Sequence, residues 1–215
     1  MIKREEYLKK IRPFMSKEIV KVLTGIRRCG KSVMLELIKE DLVSQGIKKE
    51  NLFSVNFETG AVSYVKSLEE TYEVVKEFAA KRKEKIYLFF DEIQELPHWE
   101  KLINSIMIDF DADIYITGSN AKMLSGELAT YLGGRYVEFK IYPFSFAEVL
   151  QMLPDKPEAE VFQTYLTKGG MPFLYQFPFD EISSKQYLCD IYDSIVLKDI
   201  VQRNKIRDME QFKRV

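Results

Sequence analysis

Apolar residues follow a period of two or run unbroken in five short segments: Ile19–Thr24 (IVKVLT), Leu52–Phe57 (LFSVNF), Ile86–Phe90 (IYLFF), Asp113–Thr117 (DIYIT) and Arg135–Ile141. Lengths of five to seven residues, rich in β-branched and aromatic side chains, predict strands. Between them the rhythm changes to that of amphipathic helices. Residues 4–11, Lys31–Ser44, Leu68–Arg82, Trp99–Phe110 and Ala121–Leu132 carry apolar positions at helical spacing. Pro13 stops the first, and Gly46 follows the second as a helix-ending glycine. Strands alternating with helices predict an α/β fold with a mainly parallel five-stranded sheet covered on both faces.

Beyond Pro143 the strand rhythm ends. Ser145–Met152, Glu158–Lys168 and Ser183–Ile200 read as helices, with a loop at Gly169–Pro172. Pro154–Pro157 reads as a hinge, which divides the chain into an α/β core over 1–152 and a small helical lid over 153–215. The last helix has apolar positions Ile191, Ile195 and Ile200 and no stop signal. That pattern is expected of a chain cut from a longer protein.

One segment carries distinctive chemistry. Gly25-Ile26-Arg27-Arg28-Cys29-Gly30-Lys31-Ser32 matches GxxxxGK[ST] and sits between a predicted strand and a predicted helix. Glycines let the backbone close around phosphate oxygens, and the N-terminus of the following helix, through Val33, offers free N–H groups and positive dipole. In this reading Lys31 reaches the β- and γ-phosphates and the Ser32 hydroxyl binds Mg²⁺. The fold class becomes a three-layer α/β/α P-loop NTPase.

Three further sites fit that chemistry. Asp91 and Glu92 end the apolar strand IYLFF, where open α/β sheets bind ligands. Asp91 is expected to hold Mg²⁺ through water and Glu92 to polarise the attacking water. Ile116-Thr117-Gly118-Ser119-Asn120 ends the next strand in small polar residues. It offers a γ-phosphate sensor, with Ser119 and Asn120 favoured over Thr117. Arg135 heads the fifth strand after Gly133-Gly134 and could neutralise γ-phosphate charge in its own chain or a neighbour's.

Composition narrows the class only a little. Lys and Arg number 32 against 33 Asp and Glu, so the net charge of −1 points to neither nucleic acid nor membrane. Two cysteines, Cys29 and Cys189, make no disulfide or metal framework, and no apolar run is long enough for a bilayer. A cytoplasmic chain is the expectation. Lys198, Arg203, Lys205, Arg207, Lys213 and Arg214 bias the tail to basic, which keeps DNA among the candidate partners.

The combination GIRRCGKS, LFFDEIQ followed by Trp99, ITGSNAKML, LGGRYVEFKIYPFSFAEV and KGGMP resembles the prokaryotic AAA+/STAND-related P-loop ATPases with a C-terminal domain of unknown function. The resemblance covers roughly residues 1–200. It implies ATP with Mg²⁺ as ligand, hydrolysis coupled to lid movement, and Pro172 of Gly170-Met171-Pro172 near the nucleotide. It also implies a tail leading towards a winged-helix or DNA-binding-like region. A homo-oligomer and a protein partner are further expectations. The KGGMP loop lacks an arginine. A slow-turnover switch that binds ATP or ADP is therefore the alternative to a motor.

Overall fold

A computed structural model of the chain describes residues 2–58, 67–119, 132–176 and 180–195. All but the last residue of the expected helix Ala121–Leu132, Asn120, and the whole basic tail lie outside these residues. The five strands are β1 (Val20–Gly25), β2 (Leu52–Asn56), β3 (Ile86–Asp91), β4 (Ala112–Ser119) and β5 (Tyr136–Lys140). They form one sheet in the order β2-β3-β4-β1-β5. The pairs β2–β3, β3–β4 and β1–β5 are parallel. The helices among the described residues are α1 (Glu5–Ile11), α2 (Lys31–Ser44), α3 (Leu68–Ala80), α4 (Trp99–Asp109), α5 (Phe146–Met152), α6 (Glu158–Lys168) and α7 (Glu181–Ile195).

The chain packs as two compact units. One comprises residues 3–24 and 31–140, and the other residues 1–2, 25–30 and 141–215. In the first, the period of two sorts strand residues onto opposite faces. Ile86, Leu88 and Phe90 of β3 and Ile114 and Ile116 of β4 join Val75 of α3 and Trp99, Leu102, Ile103 and Ile106 of α4 in one core. The alternate residues Tyr87, Phe89 and Tyr115 turn to the other face. There Phe89 stacks on Tyr115 at 4.9 Å, and the Lys39 ammonium of α2 lies 5.2 Å from the Phe89 ring. The sheet is thus covered on both sides, giving the α/β/α arrangement expected from the alternation.

That second face holds a buried polar cluster which IVKVLT and DIYIT conceal as apolar runs. Lys21 and Asp113 form an ion pair whose side chains are both fully buried. Asp113 also accepts from the Tyr115 hydroxyl at 2.8 Å and from the Ser16 backbone at 2.8 Å, and Lys21 donates to the Lys17 carbonyl at 2.9 Å. Burial lowers the Lys21 ammonium below its ordinary value against the opposing pull of Asp113, and it raises the Tyr115 phenol. Each ion is the second residue of its strand, and β1 and β4 are neighbours in the sheet.

A second polar clamp ties α2 to the turn after α1. Asp41 accepts from Arg12 Nε at 3.0 Å and Nη2 at 2.8 Å, and from Gln45 Nε2 at 2.8 Å. The Arg12 guanidinium holds the Asp41 carboxyl below its usual range. A carboxyl whose folded pKa is depressed stabilises the fold fully above its unfolded value, near 4, and loses that contribution as pH falls through the folded value. Asp41→Asn should therefore cost about 1–3 kcal/mol at neutral pH. In thermal melts across pH, the gap from the wild type should close below about pH 4.

The helical unit has its own packing. Ser145 caps α5 through a capping box with Glu148, and Phe146 packs on Phe162 at 5.3 Å and Tyr165 at 5.7 Å. Met171, Leu174 and Ile191 form a small core joined by Tyr187 and Leu188 of α7. At Gly170 a Cβ would meet the Phe144 carbonyl oxygen at 2.1 Å, while the Phe144 N–H donates to the Gly170 carbonyl at 2.7 Å. Only glycine allows that backbone approach. Pro172 then opens a short 3-10 turn over Pro172–Tyr175.

Candidate functional site

The glycine-bounded segment joins β1 directly to α2, with Lys31 as the first helical residue. Gly30 has φ 101°, a left-handed conformation that side chains resist. At Gly25 a Cβ would sit 2.3 Å from the Ile141 carbonyl oxygen. Both glycines are thus required by backbone geometry. Between them Cys29 is buried, Arg27 is half-buried, and Ile26 and Arg28 are exposed. Arg28 also has positive φ, at 62°, and its guanidinium lies over the Tyr187 ring of α7, 5.5 Å from its centroid. Ser32 and Val33 are exposed in the first turn of α2.

Lys31 is only 4% exposed, and its ammonium lies 3.4 Å from Glu92 Oε1. Glu92 follows β3 with φ 51° and ψ 48°. Left-handed geometry in a residue other than glycine costs free energy and persists where its surroundings fix it. Here the Glu92 N–H donates to Thr117 Oγ1 at 2.9 Å. The same Thr117 hydroxyl donates to Asp91 Oδ1, while Asn56 Nδ2 donates to Asp91 Oδ2 at 2.8 Å. Asp91 is buried, with each oxygen bound by a polar side chain of a flanking strand. A hydrogen bond from Gln94 Nε2 to Glu92 Oε2 completes the arrangement.

Lys31, Asp91 and Glu92 are thus brought together, and two residues join them. Thr117 holds the contacts on β4. Ser119 ends that strand, but its side chain and Asn120 lie outside the described residues. Asn56 was not among the candidates read from the sequence. Its signal is positional, because it is the last residue of LFSVN and stands in register with Asp91 across β2–β3.

Arg135 is not brought to this end. It precedes Tyr136, which pairs with Val20 at the amino end of β1, and its carbonyl accepts the Val20 N–H at 3.0 Å. Its guanidinium donates to Asn104 at 2.8 Å. A five-residue strand places this end about 16 Å from the carboxyl end of the sheet. The structure therefore does not bring Arg135 to the Asp91 end of its own chain.

Among the described residues no group of three or more His, Cys, Asp and Glu is placed to hold a metal. One buried carboxylate at Asp91 and one hydroxyl at Ser32 are hard oxygen donors. That sparse set fits Mg²⁺, which keeps waters and substrate phosphates among its ligands. It does not fit a metal that needs a protein cage.

A strand, a glycine-bounded loop opening a helix, and an acid pair closing the third strand define a P-loop NTPase domain of α/β/α architecture. The chain belongs to the AAA domain family, whose pattern matches residues 17–150, and carries an AAA+ P-loop ATPase core. An uncharacterised protein of Haemophilus influenzae is 41% identical over 219 residues, covering 100% of this chain and 54% of that protein. Protein MJ1544 of Methanocaldococcus jannaschii is 32% identical, covering 90% of this chain and 44% of its own length. The chain spans about half the length of these relatives. AMPPCP-bound DnaA from Aquifex aeolicus superposes with a TM-score of 0.53 at 14% identity, over 98% of this chain and 66% of that one. Hsp104 of S. cerevisiae, in complex with casein, gives 0.53 at 16% identity, over 94% and 39%. ORC1 of Aeropyrum pernix, in complex with DNA, gives 0.50 at 17% identity, over 74% and 50%. Likeness at such identities concerns the fold alone. Among the described residues no helix is long and apolar enough to cross a membrane.

Proposed function

We propose that this chain binds ATP with Mg²⁺ at Gly25–Val33 and hydrolyses it, coupling the reaction to movement of its helical part. The observation that carries the proposal is the contact of Lys31 with Glu92, beside an Asp91 bound by Asn56 and Thr117. A loop lysine and a strand-ending acid pair are what phosphoryl transfer to water needs. Backbone N–H groups of Gly25–Lys31 cradle the phosphates, and the Lys31 ammonium turns from Glu92 to the β- and γ-phosphates. Ser32 and Asp91 would hold Mg²⁺, which neutralises phosphate charge when bound. Glu92 takes a proton from the attacking water, and Thr117, Ser119 or Asn120 senses the γ-phosphate. Catalysis is then positioning plus electrostatics.

Coupling has support in the contact of Arg28 with Tyr187, since a loop residue rests on α7. Pro172, in the same unit as Gly25–Gly30, is assigned to the nucleotide's surroundings by family resemblance. Arg135, at the far end of the sheet, acts from a second copy of the chain if it acts on phosphate. A homo-oligomer, a protein partner and DNA remain proposals; for DNA, support comes from the basic tail and from the DNA complex of one fold relative. A cytoplasmic setting is proposed with them. The alternative, a slow ATP/ADP switch, is favoured by the absence of arginine between Tyr136 and Gln202.

The test is phosphate release over a range of protein concentrations. Turnover per molecule that rises with concentration supports hydrolysis completed between copies. Tight nucleotide binding with a turnover of many minutes supports the switch. No binding removes both readings.

A further inference from the structure

Gln94 is the second residue past Glu92, inside the 3-10 turn Ile93–Glu95. Its neighbours Ile93 and Leu96 are buried in the core, and Glu95 N–H donates back to the Glu92 carbonyl at 3.1 Å. The turn is therefore anchored on both sides of Gln94, and the amide it carries has a fixed place. One end of that amide bonds Glu92 Oε2. A carboxylate only accepts, so the atom facing it is the NH₂ group, and chemistry fixes the amide's orientation. The other end, Gln94 Oε1, is buried and has no hydrogen-bond partner among the described residues. A buried acceptor left without a partner is costly and calls for an explanation.

We propose that Gln94 works with Glu92 on the attacking water: Nε2 fixes the carboxylate and Oε1 accepts the hydrogen that the water keeps. The proposal rests on the ATPase reading above. Glu92 has two carboxylate oxygens, one engaged by Lys31 and one by Gln94. When Lys31 turns to phosphate, Glu92 Oε1 becomes free while Oε2 stays bound to Gln94. Two acceptors, Glu92 Oε1 and Gln94 Oε1, then belong to one short segment.

A water needs two acceptors to fix its orientation as well as its position. As its oxygen forms the new bond to the γ-phosphorus, the bond from that phosphorus to the β,γ-bridging oxygen breaks and ADP leaves with the electron pair. One water proton passes to Glu92 and from there to solvent. The other stays on the oxygen now part of inorganic phosphate, and it is this hydrogen that Gln94 Oε1 holds. An amide suits the task, because it donates to the base and accepts from the nucleophile without changing charge.

The test compares ATP turnover and ATP affinity of the wild type, Gln94→Ala and Gln94→Met, with thermal unfolding as the check on folding. Met keeps the length and packing of the side chain while removing both hydrogen bonds. Both variants should bind ATP within about two-fold of the wild type and turn it over about 10²-fold more slowly. A merely structural role would weaken ATP binding or lower the melting temperature along with turnover, whereas this role lowers kcat while KM and the melting temperature stay near the wild-type values. Turnover within three-fold of the wild type, or a loss of turnover matched by the loss of ATP binding, would overturn the role of Gln94 alone. A wild type that binds ATP but never hydrolyses it would overturn the ATPase reading and this role together.

Discussion

Glu92→Gln should keep ATP bound and lower its turnover by about 10²- to 10⁴-fold, the usual worth of a general base. The amide matches the carboxylate in shape and still reaches Thr117 through its backbone N–H, so the left-handed turn survives. What it loses is the ability to take a proton. It also loses the charge that faces Lys31 across 3.4 Å. In the wild type ATP must draw Lys31 away from that carboxylate, so the variant should bind ATP at least as tightly. Phosphate release and equilibrium binding, measured side by side, check both halves. Wild-type turnover in Glu92→Gln would move the base elsewhere.

Asp113→Ala should destabilise the fold by about 3–5 kcal/mol, because it leaves the Lys21 amine buried without its partner. For a chain of this size that is a fall of about 6–20 °C in melting temperature. Both side chains of the pair are fully buried, and Asp113 also satisfies Tyr115 and the Ser16 N–H. Lys21→Met combined with Asp113→Leu should recover part of the loss, since it removes both charges while leaving those two donors without their acceptor. A double variant as unstable as the single one would show that the hydrogen bonds to Asp113, and not the unpaired amine, carry the cost. Calorimetric melts of the wild type and the two variants separate the cases.

The elements were legible because each depends on nearby residues. The period of two in LFSVN and the helical spacing in KSVMLELIKEDL need no partner to be read, and β2 and α2 fall where they were expected. Gly25–Ser32 and Asp91–Glu92 were legible as candidates because each lies in one contiguous run. The partners of Asp91 were not. Asn56 and Thr117 reach it only because β2 and β4 flank β3, and strand order is not written in any one strand. The same holds for Lys21 and Asp113, which look like single charges in apolar runs until β1 and β4 become neighbours. Arg135 shows the converse. Its place at the head of a strand suggested the site, yet in a parallel sheet the head of a strand is the wrong end for ligands.

Equilibrium binding of ATP with Mg²⁺ to the wild type and to Lys31→Ala asks most directly whether Gly25–Ser32 is a phosphate site. The Lys31 ammonium lies against Glu92. Saturable binding by the wild type, weakened by about 10²-fold or more in a folded Lys31→Ala, is the predicted result, the loss of a charged hydrogen-bonding partner being worth about 2–3 kcal/mol or more. Equal binding by the two proteins, or no binding by the wild type at millimolar ATP, would contradict it.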